Sequence, residues 1–64
     1  MIDGAKIRNL REATGTTMKE LGDKAGVSEV MISYVERNLR SLNAETLKHI
    51  ADSLDVKVDE LYKQ

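Results

Sequence analysis

Residues 17–36 read TMKELGDKAGVSEVMISYVE, and this stretch decides how the rest of the chain folds. Thr17 offers a hydroxyl to the free N–H groups that begin a helix, and Glu20, three positions on, can accept from the cap's own N–H, so T-x-x-E predicts a capping box. Met18, Leu21, Gly22 and Ala25 recur at i, i+3, i+4 and i+7, one helical face, and Gly26 can take the left-handed conformation that ends a helix. That helix is only about two turns long. Ser28 offers a second N-cap, Ile32 and Val35 are the inward positions of a second helix, and Asn38 is its expected stop. Two short helices joined by a glycine-containing turn form a helix-turn-helix. Gly22 predicts a close approach of the two helices, since a glycine merely tolerated in a helix would cost about 1 kcal/mol relative to Ala.

Before the motif, residues 1–4 read as a short lead-in, with Asp3 capping a helix that runs to about Thr14 and stops at Gly15. Ile7, Leu10, Arg11 and Thr14 share one face of it. A guanidinium inside an apolar stripe needs a carboxylate partner, and Glu36 stands at a comparable margin one turn after Ile32. After the motif, Leu39-Arg40-Ser41-Leu42 is a connection and Asn43 caps a further helix. On that helix Ala44, Leu47, Ile50, Ala51 and Leu54 fall at i, i+3, i+6, i+7 and i+10, the cleanest amphipathic pattern in the chain. Asp55 is its expected end, and residues 56–61 follow with acidic groups suited to the first turn of a last short helix. The expected fold is all-α, five short helices in one domain over residues 1–64.

The spacing T-x-x-E-L-G-x-x-A-G-V-S-x-x-x-I-S-x-V-E-R resembles the Cro and phage-repressor family of helix-turn-helix regulators, also called the Xre family. The resemblance runs from about Ile7 to Leu61 and implies a lambda-repressor-like DNA-binding domain, with the motif at about residues 17–37 formed by helices 2 and 3. In that family the second motif helix lies in the major groove of double-stranded DNA. The resemblance also implies a buried ion pair, since the family has an Arg and a Glu at the positions of Arg11 and Glu36. The alternative is two independent snorkelling surface charges. Where Lys57 stands the family usually has a Ser or similar cap, so the last helix is expected to be weakly held.

With Ile32 and Val35 turned inward, the base-reading candidates are Ser28, Glu29, Val30, Ser33 and Tyr34. Glu29 can accept from a cytosine amino group, Val30 can meet a thymine methyl, and Ser33 can donate or accept. Tyr34 can reach a phosphate or a base edge. Residues 29, 30, 33 and 34 include no Arg, Asn or Gln, the side chains that bind guanine or adenine through paired hydrogen bonds. The phosphate-contact candidates are Thr17, Met18, Lys19, Arg37, Asn38, Arg40 and Asn43: three cations, neutral donors, and the N–H groups of a helix start. Met18 stands where the family often has a phosphate-contacting Gln, so it is expected to contribute backbone only and to pack at the core's rim. Met31, Leu39 and Leu42 are either a satellite cluster or an exposed patch for a protein partner.

Composition sets the limits. Sixty-four residues make one domain, and a chain of this size buries about 60% of the surface it would expose unfolded. There is no Cys and one His, His49, so neither a disulfide framework nor a multi-ligand zinc site is expected. No apolar run approaches the roughly 18 residues of a membrane span, and no signal-peptide h-region is present, so a cytoplasmic location is expected. Ten basic against eleven acidic groups give −1 overall, less basic than many nucleic-acid binders. The acidic excess follows the motif, since residues 1–40 carry seven basic and six acidic groups and residues 41–64 carry three and five. Two Tyr are the whole aromatic content, which argues against base-stacking platforms for single strands.

No base is placed to activate Ser28, Ser33 or Ser41, and the four glycines are too scattered to cradle a phosphate. No enzyme and no cofactor are expected. The expected function is sequence-specific DNA binding by a small transcriptional regulator, a repressor acting as a homodimer, with its dimer surface near Val56, Val58, Leu61 and Tyr62. Two alternatives stand beside it: an anti-repressor or antitoxin-like module that binds a regulatory protein partner, and the DNA-binding fragment of a longer regulator.

Overall fold

Side-chain caps divide this chain into helices. In the computed structural model, which describes residues 1–63, α1 spans Gly4–Ala13, α2 Met18–Ala25, α3 Glu29–Glu36 and α4 Ala44–Ser53. Each starts one residue after a cap whose side-chain oxygen accepts from a first-turn N–H: Asp3 from Lys6 at 3.1 Å, Thr17 from Glu20 at 3.0 Å, Ser28 from Met31 at 3.1 Å and Asn43 from Thr46 at 2.8 Å. The expected capping box is complete, since the Thr17 N–H also donates to Glu20 Oε1 at 3.0 Å.

All four α-helix ends share one device. Gly15, Gly26, Asn38 and Asp55 take positive φ after α1, α2, α3 and α4. The next N–H in each case reaches back to the carbonyl five residues earlier: Thr16 to Arg11, Val27 to Gly22, Leu39 to Tyr34, and Val56 to Ala51. These are Schellman motifs, which satisfy carbonyls that the helix itself leaves without partners.

The last short helix takes a tighter form: Val58–Leu61 is a 3-10 turn, so the described residues hold four α-helices and one 3-10 turn. Lys57 contributes no side-chain cap, as anticipated, but its N–H donates to Glu60 Oε2 at 3.0 Å. Leu61 is fully buried, which fastens the turn to the core.

The core is made of Ile7, Leu21, Ile32, Val35, Leu47, Ile50 and Leu61, with Ala25, Ala51, Leu54 and Ile2 completing it. α2 packs across α3 and α4, while α1 packs on α3 and on the last turn. Residues 1–4 are structural rather than a loose lead-in. Ile2 pairs with Tyr62 in an antiparallel bridge, the Asp3 N–H donates to the Leu61 carbonyl at 2.8 Å, and the Lys63 N–H donates to that of Met1 at 2.8 Å.

Gly22 is where α2 meets the turn. A Cβ there would lie 2.6 Å from the Val27 carbonyl oxygen and 3.2 Å from the Ser28 carbonyl carbon, both of them backbone. The better helix propensity of Ala is therefore outweighed by a displacement of the turn. Gly22→Ala is expected to lower unfolding free energy by about 1–3 kcal/mol, read from denaturant titration. An unchanged midpoint would mean the turn yields freely.

Candidate nucleic-acid interface

The ends of α2 and α3 and the connection after α3 carry every candidate that the sequence singled out. α3 is anchored from inside by Ile32 and Val35, both fully buried, and by Glu36. Arg11 on α1 meets Glu36 as a forked pair, Nε to Oε2 at 2.6 Å and Nη2 to Oε1 at 3.1 Å. The side chains are only 9% and 2% exposed. The third arm of the guanidinium, Nη1, donates to the Thr16 carbonyl at 3.0 Å. The hydrogen bond to Glu36 raises the Arg11 pKa further above its usual value, against the opposing pull of burial. The implied ion pair is present, and the alternative of two surface charges is excluded.

With that side fixed, the opposite face of α3 is open. Ser28, Glu29 and Val30 are exposed at its start, Val30 at 56%. Ser33 is partly buried, and Tyr34 stands at the margin of exposure one turn on. Ser28 has a double position, because its Oγ already accepts from Met31 and keeps its hydroxyl proton and one lone pair for an outward partner. Arg37 follows at the C-terminal end, its guanidinium carbon 5.4 Å from the centre of the Tyr34 ring, and its Nε directed at the Ser33 carbonyl at 3.4 Å. The Tyr34 ring and this hydrogen bond hold the cation against the helix end.

At the start of α2, Thr17 is exposed and the capping box occupies its oxygen and the Glu20 N–H. Hydrogen bonding from the Thr17 backbone, and secondarily from its hydroxyl, holds the Glu20 carboxyl below its usual range. The first-turn N–H groups of Met18 and Lys19 lie outside that box. The Met18 side chain is partly buried and packs against the core, as expected for a rim residue. Lys19 is paired in sequence with Asp23, 3.3 Å away on the same exposed face.

Arg37 and Arg40 differ from Lys19. Both are exposed, and neither makes an ion pair among the described residues. Asn43 caps α4 through its Oδ1 and keeps its amide donors. Asn38 is exposed; its Oδ1 accepts from the Gly4 N–H at 3.0 Å, and its amide donors are left over.

The apolar residues around the motif separate into two kinds. Met31 and Leu42 are partly buried against the core, which is the satellite-cluster reading, whereas Leu39 is 61% exposed. Leu39 borders a recess with Met1, Ile2, Asn38 and Arg40. A second recess lies between α4 and the last turn, about 550 Å3 in volume, bordered by Ala44, Lys48, Ala51, Val56, Val58 and Tyr62. Leu61 was expected on that outer surface and is instead fully inside. Val56, Val58 and Tyr62 remain at the recess.

His49 on α4 approaches only Glu45, at 4.0 Å, and no cluster of three or more His, Cys, Asp or Glu suited to a metal occurs among the described residues. No helix among them is long and apolar enough to cross a membrane.

Comparisons with known proteins agree with this geometry. A family model described as helix-turn-helix matches residues 7–61. The chain is 41% identical over 59 residues to an uncharacterized HTH-type transcriptional regulator of Mycobacterium tuberculosis, an alignment covering 92% of this chain and 42% of that protein. The chain thus spans less than half the length of that relative. Among solved structures it is similar to the P22 c2 repressor protein in complex with a synthetic operator, with a TM-score of 0.91 and 33% identity over 98% of this chain and 96% of that one. It is also similar to a chain of the SinR/SinI protein complex, with a TM-score of 0.86 and 35% identity over 100% of this chain and 62% of that one.

Proposed function

This chain belongs to the Cro and phage-repressor family of helix-turn-helix regulators, and from that premise we propose that it binds duplex DNA sequence-specifically as a cytoplasmic transcriptional repressor, with α3 in the major groove. The observation that carries this reading is the open face of α3, followed by Arg37 and Arg40, two exposed cations that make no ion pair among the described residues. Glu29, Val30 and Ser33 face the bases, with Ser28 at the groove entrance and Tyr34 beside the backbone. Arg37, Arg40, the Asn43 amide and the start of α2 hold phosphates, which fix register without reading sequence. Activity is by binding, and no residue is assigned to catalysis.

One α3 reads few base pairs, so the functional unit is a homodimer whose half-sites lie about one helical turn, roughly 34 Å, apart. The recess bordered by Val56, Val58 and Tyr62 is the dimer surface in this reading. The test is selection of bound duplexes from a random pool at low and moderate salt. An inverted repeat that persists at moderate salt is the expected outcome. With Arg37 and Arg40 engaged in each subunit, about four cations per dimer, the log–log salt slope is expected near −3.5.

A second reading is favoured by one observation. Glu29, Val30 and Tyr34 form an exposed face without the side chains that bind guanine or adenine strongly. Such a face suits a protein partner, as in an anti-repressor or antitoxin-like module, and one similar chain is SinR in its complex with SinI. Duplex binding without enrichment, lost as salt rises, would favour that reading.

A further inference from the structure

We propose that Asn38 is a positioning residue for duplex binding, its side-chain carbonyl tying the end of α3 to the first turn of α1 and so fixing the path of the segment that carries Arg37 and Arg40. The proposal rests on the duplex-binding reading above. Asn38 has φ 60 at the C′ position of a Schellman motif, where glycine is the unstrained choice. Asp55 occupies the same position after α4 with φ 57, and its side chain makes no hydrogen bond among the described residues. Asn38 differs in having a distant partner, Gly4, 34 residues away, whose N–H it accepts at 3.0 Å.

Gly4 is the first residue of α1, so its N–H has no acceptor within its own helix. The two backbones meet closely here. A Cβ on Gly4 would lie 2.6 Å from the Glu36 carbonyl oxygen and would also strike that of Val35. The positive end of α1 therefore abuts the negative end of α3, and Asn38 closes the junction. Because Oδ1 is the acceptor, the amide Nδ2 is left to donate elsewhere. Leu39 and Arg40 leave α3 directly from this clamp and are themselves exposed. Their direction depends on it. Without the tether, residues 39–41 would have to be ordered on DNA, and that ordering would be subtracted from the binding energy.

Asn38→Gly and Asp55→Gly place the same residue at the same kind of helix end, so they separate backbone relief from the tether. Asp55→Gly is expected to raise the thermal midpoint and leave duplex affinity unchanged. Asn38→Gly is expected to drop backbone order parameters of residues 39–41 from rigid values to below about 0.6. It should also weaken duplex binding by about 3–10-fold at fixed salt, with the salt slope unchanged because the cations remain. Asn38→Asp keeps an acceptor for Gly4 and should retain wild-type order in residues 39–41. Wild-type order parameters in Asn38→Gly, or lowered order with unchanged affinity, would overturn the proposal. If the wild-type chain binds no duplex at all, the duplex reading fails instead, and the proposal's link to DNA falls with it, whatever the order parameters show.

Discussion

The double reversal Arg37→Glu, Arg40→Glu is expected to reduce duplex affinity by about three orders of magnitude at 0.1 M salt. Four phosphate contacts are lost per dimer, and each contributes through release of a condensed counterion, so the loss grows as salt is lowered. The log–log slope should flatten by about 3–4. Neither arginine makes an ion pair among the described residues, so their removal orphans no carboxylate. Arg37 does lie over the Tyr34 ring, and an acidic group at the C-terminal end of α3 opposes the helix dipole. Those effects together are small, of order 1 kcal/mol or less. Thermal unfolding should therefore remain cooperative, and the comparison is made well below its midpoint. Retention of wild-type affinity in a folded double variant would remove the phosphate assignment. Lys19→Glu is the internal contrast: Lys19 is already paired with Asp23, and its reversal should cost far less.

What the sequence disclosed and what it withheld follow from the range of the interactions concerned. Thr17, Ser28 and Asn43 were legible as caps because each acts on an N–H three residues away. Gly22 was legible because a helical face that is otherwise apolar has only one reason to carry a glycine at a helix crossing. Arg11 was legible as half of a pair, and the family resemblance supplied Glu36, since a buried guanidinium must have a partner. The base-facing positions came from helical period alone, which sets direction and leaves the preferred bases open.

The misses are all long-range. No periodicity relates Ile2 to Tyr62 or Gly4 to Asn38, so the strand-like bridge between the two ends of the domain and the clamp on α3 appear only in three dimensions. Leu61, expected at the outer surface with Val56, Val58 and Tyr62, is fully buried, and its burial depends on how the last turn packs on α1 and α4. Asn38 is legible as a helix stop, and its Oδ1 is in addition the acceptor for the Gly4 N–H. Its stop signal is local, whereas its acceptor role depends on α1 arriving beside it.

Removing one side of the Arg11–Glu36 pair is expected to cost about 3–5 kcal/mol. A domain of this length has a total of only about 3–10 kcal/mol, so Glu36→Ala should leave much of the population unfolded at 37 °C. The cause is the charge left behind more than the bond lost. Arg11 is held among core residues with a side-chain exposure of 9%, and without Glu36 the guanidinium keeps one hydrogen bond among the described residues, to the Thr16 carbonyl. Replacing both members, Arg11→Met with Glu36→Leu, removes the orphaned charge along with the pair and should recover most of the loss. The residual deficit should be about 1 kcal/mol, from the hydrogen bond to Thr16. Urea titration of the two single variants and the double variant measures this directly. A double variant no more stable than the singles would mean that the pair acts by orienting α1 against α3, beyond neutralising a buried charge. In the expected case that orientation survives, because the backbone contact of Gly4 with Val35 and Glu36, and the Asn38 tether beside it, hold the same two helices together without any charge.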